Sequence, residues 1–527
     1  MNTALPRLHR VASTGATTRL SSDARLPLSA APEILDRLLA PLSALAAATT
    51  GIVLVPDDTA PRVALELCPP SELAGIPAAV GAHPDPDGAP DERYLLTIHD
   101  GAARVRASDP AGLFRGVTAL LQLCTLDDGI TAPAVDAADG PALTWRGLSL
   151  DVARHFLRVE EIERVIDLLA WHRLSVLHLH LTDSQAWRLE SRRYPLLTAG
   201  TEEFYSADDL EHLIAYASAR YVSLVPEIDM PGHTASALRA YPDLAAGAHF
   251  VHPFLVFLDP GVAAAVEFAE TVLDELAALA PSRYLHIGGD EAFGMPDDAF
   301  AAFVTHVVEH VHGLGREVIG WQETTRSAAL GTQDIAQFWI SPKDSFDADK
   351  VKRRISEDMH DLVDLAAATF AHAPQDAERA RAAGVPVIVS SSSPLYLDRP
   401  YAEAGDPAQD ERRQRVGFAD YDPEPTSDLD DWDPLDSART GLPGLQVVGA
   451  EAAIWSETID GFDDLAFLLL PRLAIAADRM WGATGGGDWA GTAGRLRAAA
   501  PAWERLGLGE WFRSTLVTAP GAASSED

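Results

Sequence analysis

The chain has 527 residues and 47% hydrophobic content, enough for about two to four domains with a sizeable core. Its 41 Lys+Arg against 78 Asp+Glu give a formal net charge of −37. That excludes a nonspecific binder of nucleic acid or anionic membrane, whose affinity rests on clustered positive charge. Only Cys68 and Cys124 occur, too few for a disulfide framework, so reduced thiols are expected. The opening stretch MNTALPRLHRVASTGATTRL has no apolar core of signal-peptide length, and no run of about 18 apolar residues follows. The expectation is a soluble, cytoplasmic protein with no membrane partner.

Residues 1–25 read as a loose arm. A helical pattern runs from Ala31 to Ala48, followed by β-like runs at Gly51–Pro56, Arg62–Cys68, Arg93–His99 and Ala102–Ala107. The Pro-, Gly- and Asp-rich stretch Gly81–Asp91 reads as a loop between them. Asp109 and Pro110 open a helix as N-cap and first helical residue, with Leu113, Phe114, Val117, Leu120 and Leu121 along one side. Strands with such a helix predict a small α+β domain over residues 1–140, closed by a linker at Thr131–Pro141.

After Pro141 strands and helices alternate, the pattern of a parallel sheet with crossover helices. Strands are expected at Gly147–Val152, Ser175–Leu181, Val222–Glu227, Tyr284–Ile287, Glu317–Trp321, Ile335–Trp339, Val387–Ser390 and Gln446–Glu451. Amphipathic helices are expected at Val159–Leu174 and at Ala207–Arg220, the second capped by Ser206. The fold class is therefore α/β: a (β/α)8 TIM barrel over residues 141–518, preceded by the small α+β domain. The weakest unit follows the fifth strand, where Thr324–Thr332 makes only a poor helix. The loop Asp398–Gly444 carries an acidic run, Asp420 to Asp436, without Lys or Arg. It reads as a solvated insertion, with a rim over the site as the alternative. Residues 519–527 read as a disordered tail.

In such a barrel the residues after each strand's C-terminus face the site. Those positions hold Asp151 and Arg154, then Asp183, Glu227, Asp229 and His233, Asp290 and Glu291, Trp321, Trp339, Tyr396 and Asp398, and Trp455 and Glu457. Indole faces stack on the C–H face of a pyranose, charged groups bind its hydroxyls, and a carboxylic acid can protonate a leaving oxygen. This combination points to carbohydrate cleavage. In HIGGDE, residues 286–291, Asp290 and Glu291 are neighbours, so they cannot easily flank one glycosidic bond as an opposed pair. Different tasks are expected of them.

The segments WRGLSLDVARHF (145–156), HLTDSQAWR (180–188), VPEIDMPGH (225–233), HIGGDE, GWQE (320–323), YLD (396–398) and EAAIWSE (451–457) resemble, in order, those of family 20 glycoside hydrolases, the β-N-acetylhexosaminidases. The resemblance covers nearly the whole barrel, and Pro471-Arg472-Leu473 also fits. It implies an exo-acting enzyme on terminal GlcNAc or GalNAc glycosides, without metal or organic cofactor. The substrate's own acetamido oxygen would be the nucleophile, giving an oxazolinium intermediate. Glu291 would be the general acid and then base, Asp290 would orient the acetamido N–H, and Tyr396 would bind its oxygen. Trp321, Trp339 and Trp455 would wall the pocket. Arg146 and Glu457, with Asp398, would hold ring hydroxyls. Asp229 and His233 would tune Glu291, and Asp183 would stand behind the site. Family members often carry a second acid where this chain has Ser184.

Other readings stand beside these. His178 and His180 form an HxH at a strand end, the pattern of a metal-dependent amidohydrolase, or else fill the barrel with polar groups. A catalytically silent glycan-binding protein on the same fold is a further alternative. Trp145 and Trp187 read as packing residues, and Arg154 as an ion-pair residue at the base of a loop.

Overall fold

The eight apolar runs after residue 141 are too short for helices and are bounded by turn residues, and in the structure each is a strand. The structure is a computed structural model that describes residues 3–245, 256–341, 343, 346–353, 356–482 and 488–518. The first half of the N-terminal domain comprises β1 (Arg10–Ser21), β2 (Arg25–Ser29), β3 (Val53–Pro56) and β4 (Val63–Leu67). Then come β5 (Tyr94–His99), β6 (Ala102–Ala107), β7 (Thr125–Asp127) and β8 (Gly129–Asp139). They form one mixed sheet in the order β1-β8-β5-β6-β4-β2-β3, with β7 paired to β8. The helices Pro32–Thr50 and Pro110–Leu123 accompany it, and the Asp109 carboxylate caps the second by accepting from the Ala111 N–H.

The expected loose arm and the expected linker are both strands, which corrects two readings. β1 pairs antiparallel with β8 from Arg10↔Ala138 to Ser21↔Ile130. Along β1 only Leu20 is buried, so the segment carries no apolar alternation to reveal it. Its place is set by the backbone ladder at a sheet edge with one face in water. Ahead of β1, Ala4, Leu5 and Leu8 are buried in the core.

The second domain is a closed parallel barrel of β9 (Trp145–Asp151), β10 (Val176–His180), β11 (Ser223–Glu227) and β12 (Tyr284–His286). It continues through β13 (Glu317–Trp321), β14 (Ile335–Phe338), β15 (Val387–Val389) and β16 (Val447–Ile454), which returns to β9. Each lies where the sequence predicts it, within a few residues at the ends. The poor helix after β13 is a short 3-10 turn, Gln322–Ser327. The expected tail, 519–527, lies outside the described residues.

One apolar side chain from each strand (Trp145, Val176, Val225, Tyr284, Ile319, Ile335, Ile388 and Val448) forms a layer that closes the barrel near its N-terminal end. Above it the filling is polar and built around the carboxylates of Glu227 and Glu451. His178 lies 2.9 Å from Glu451 and 3.1 Å from Glu227, and His180 lies 2.5 Å from Glu227. Both histidines are buried with ring nitrogens facing acids, as polar filling of the barrel requires. The Trp145 indole donates to Glu451, and the Trp187 indole to the Leu189 carbonyl, so both tryptophans pack.

The two domains meet beneath the barrel through a buried ionic network. Glu92 accepts from Arg115 at 2.7 Å and from Arg146 at 2.9 Å. Asp139, at the end of β8, accepts from Arg173 at 3.1 Å and from the Tyr94 hydroxyl at 2.7 Å. The guanidiniums of Arg146 and Arg173 both lie over the Trp481 ring.

Candidate active site

The site begins with the backbone after β12. Gly288 and Gly289 take φ of +67° and +97°. A Cβ at Gly288 would lie 1.8 Å from the Asp229 carboxylate, so no other residue fits that turn. Asp229 in turn accepts from the Gly289 N–H at 2.9 Å, which pins the turn. Glu291 then stands at φ +45°, and His233, across from it, at φ +54°. A non-glycine residue in the left-handed region is strained, and such strain persists where surrounding contacts over-determine it.

Asp183 is the hub beneath these residues. Its Oδ2 lies 2.7 Å from Arg154 Nη2, 3.0 Å from His233 Nδ1 and 3.0 Å from His180 Nε2. The other face of His233 presents Nε2 at 3.7 Å from Asp290 and 3.6 Å from Glu291. Burial by itself would favour neutral His233, but the carboxylates of Asp183, Asp290 and Asp229 hold its pKa well above the usual value. The protonated form of His233 is thus favoured where the ring faces both acids of the pair.

The aromatic residues build a recess beside Asp290. Tyr396 lies parallel to Trp339, with ring centroids 6.3 Å apart, and Trp455 meets Tyr396 edge-on at 5.8 Å. Trp321 stands behind Trp455 at 5.9 Å and donates its indole N–H to Glu227. Trp339 is held from below: Gln322 accepts from the backbone N–H groups of Trp339 and Ile340, and Glu323 accepts from the Trp339 indole at 3.1 Å. The GWQE stretch therefore fixes the Trp339 wall, while Trp321, expected as a wall, is buried behind Trp455 and does not line the pocket.

Together these groups border one pocket that opens to solvent. Arg154, Asp183, Asp229, His233, Asp290, Glu291, Trp339, Tyr396, Asp398, Trp455 and Glu457 line it. Phe418 and Tyr421 form part of its rim, so the acidic insertion reaches the site. Residues 426–432 of that insertion also bury Thr426, Leu429, Asp430 and Trp432. The reading as a merely solvated insertion is corrected to a packed rim.

Burial sets the charge state of the lining. It pushes Asp290 up to about 6, with Glu291 adding to the rise, and Asp398 up to about 8, with Glu457 adding to it. Asp290 Oδ1 and Asp398 Oδ2 are buried without a hydrogen-bond partner among the described residues. Both are acceptors open to a polar ligand in the pocket.

One expected site residue is elsewhere. Arg146 is fully buried at the start of β9, bound to Glu92 and to the carbonyls of Leu143 and Arg173. It belongs to the domain interface, at the opposite end of the barrel from the pocket. The arginine at the pocket is Arg154, which follows the same strand's C-terminus and lies 3.9 Å from Glu457 as well as on Asp183. Position relative to the strand is the signal that separates the two. Sequence reading placed Gln322 and Glu323 at the end of the fifth strand without giving them a role, and it missed Phe418 and Tyr421, which lie just before and within the acidic run.

Comparison with known proteins agrees with this site. The description "Glycosyl hydrolase family 20, catalytic domain" matches residues 143–296 and 293–484, and "Glycosyl hydrolase family 20, domain 2" matches residues 3–140. A β-N-acetylhexosaminidase of Cellulomonas fimi is 35% identical, over 83% of this chain and 83% of its own. Among solved structures, the family 20 β-N-acetylhexosaminidase of Streptomyces coelicolor A3(2) superposes with a TM-score of 0.76 at 29% identity, covering 96% of both chains. The Streptomyces plicatus N-acetyl-β-hexosaminidase in complex with Thio-NAglucal gives 0.78 at 28% identity, over 98% of this chain and 97% of that one. With its small domain, its barrel and the pocket at the strands' C-terminal ends, the chain belongs to glycoside hydrolase family 20.

Proposed function

We propose that the protein is an exo-acting β-N-acetylhexosaminidase that releases a terminal, non-reducing GlcNAc or GalNAc by substrate-assisted retention. The observation that carries this reading is the placement of two successive acids, Asp290 and Glu291, in one pocket whose lining also includes the ring cluster Trp339, Tyr396 and Trp455. Arg154, Asp398 and Glu457 line the same pocket, where their guanidinium and carboxyl groups would bind ring hydroxyls of the terminal sugar.

In the first step the acetamido oxygen bonds to the anomeric carbon while the bond from that carbon to the leaving oxygen breaks. Glu291 gives its proton to that oxygen, and the aglycone departs as an alcohol. Asp290, as a carboxylate, accepts from the acetamido N–H and balances the positive charge that develops on the oxazolinium ring. The Tyr396 hydroxyl donates to the acetamido oxygen and turns it toward the anomeric carbon. His233, kept cationic by Asp183, offsets the charge that appears on Glu291. In the second step water attacks the anomeric carbon and yields its proton to Glu291. The oxazolinium C–O bond opens, which restores the acetamido group and leaves the β configuration.

The test is kcat/KM on p-nitrophenyl β-GlcNAc, β-GalNAc and β-glucoside. The 2-acetamido substrates should exceed the glucoside by roughly a hundredfold or more, because the nucleophile is part of the substrate. Equal turnover of the glucoside overturns the mechanism.

A further inference from the structure

Glu291 faces more than the sugar pocket. It also borders an open cleft that Trp339 shares, built largely by the segments that follow β14 and β15. Glu291, Trp339, Phe418 and Tyr421 line both spaces, so the two are continuous. A second depression touches Glu291 near Arg326, but it shares only Glu291 with the sugar pocket. A general acid must face the leaving oxygen, so the group bonded to that oxygen extends into space that Glu291 borders outside the sugar pocket. Of the two, the cleft is the one with a continuous path.

Its chemistry differs sharply from that of the sugar pocket. Phe346 and Phe370 stack at 4.9 Å with an interplanar angle of 7°, and Phe370 meets the outer edge of Trp339 at 5.5 Å. Val351, Met359 and Val363 extend this surface. Charged groups line it as well, among them Lys350, which pairs with Asp422 at 2.9 Å. A second sugar ring needs hydrogen-bonding partners around its hydroxyls, and the part of the cleft built by Phe346, Phe370, Val351, Met359 and Val363 offers only rings and aliphatic groups. Resting on the glycosidase reading above, we propose that the cleft is a leaving-group site for an apolar aglycone, an alkyl or aryl group joined to the aminosugar, in preference to a further sugar.

The test holds the leaving-group acidity nearly constant by comparing methyl and octyl β-GlcNAc glycosides, with chitobiose as the sugar-bearing competitor. Burial of the alkyl chain against the phenylalanines should raise kcat/KM for the octyl glycoside about tenfold or more over the methyl glycoside. Phe346→Ala and Val351→Ser should each erase most of that gain. Inhibition by free GlcNAc, which needs only the sugar pocket, should stay unchanged and certifies that the variants are folded. Equal rates for methyl and octyl overturn the proposal, as does a gain that survives both substitutions, or chitobiose turning over faster than the octyl glycoside. An enzyme that cleaves p-nitrophenyl β-GlcNAc yet shows no octyl gain loses only the aglycone assignment. One that cleaves no N-acetylhexosaminide loses both readings.

Discussion

Arg146 and Arg154 lie eight positions apart in the sequence on either side of one strand, and they do unrelated work. Arg146 is under the barrel, bound by Glu92; Arg154 is in the pocket, its charge held by Asp183, Asp151 and Glu457. Arg154→Lys keeps the charge but loses the planar fork, so kcat/KM should fall by roughly ten- to a hundredfold. Arg146→Lys should leave the kinetics of the folded enzyme within about twofold and lower its melting temperature instead. Steady-state kinetics and thermal melts on both variants check the assignment, and the reverse pattern would restore Arg146 to the site. Both arginines were visible in the sequence. Their roles depend on which end of β9 each one occupies, and the order of the residues around the predicted strand already carried that signal.

At the scale of elements, the barrel strands were legible because each is a buried apolar run bounded by turn residues, and burial on both faces leaves little else such a run can be. β1 and β8 were not, since an edge ladder rich in Thr, Ser and Ala is held by main-chain bonds that composition does not display. The 3-10 turn after β13 shows how an unimpressive element can carry a site. Through Gln322 and Glu323 it fixes both the backbone and the indole of Trp339. The Glu323 carboxyl, pushed up to about 8 chiefly by burial, is an acceptor here without being a lone buried charge. Glu323→Gln keeps an acceptor and should retain kcat/KM within a few-fold, whereas Glu323→Leu should cost about tenfold or more. In the Leu variant the preference for N-acetyl over N-propionyl substrates should also narrow, because the loosened wall is the one that measures the acyl group. A general packing defect would lower both substrates together and leave that ratio unmoved.

For the whole molecule, the joint between the domains is ionic and buried, with Glu92 as its shared carboxylate. Burial by itself would raise the Glu92 pKa, but Arg146 and Arg115 more than offset this and hold it below its usual 4.5. A depressed folded-state pKa means that stability is fully present above about pH 4.5 and is lost as the pH falls through the lowered value. Glu92→Gln should therefore destabilise the protein by about 3 kcal/mol near neutral pH, since two guanidiniums lose their counter-charge. The gap between variant and parent should then shrink as the medium is acidified, and melts taken from pH 7 downward check both parts. A gap that stays constant with pH would mean that Glu92 acts by packing alone. The order of the chain gives this joint a further meaning during synthesis. Glu92 and Asp139 leave the ribosome before Arg146 and Arg173, so each cation of the barrel emerges to a carboxylate already in place. Trp481, which covers both guanidiniums, arrives more than three hundred residues later. The N-terminal domain is thus a template on which the barrel's first strand is seated, and the seat is closed only when the last turn of the barrel has been made.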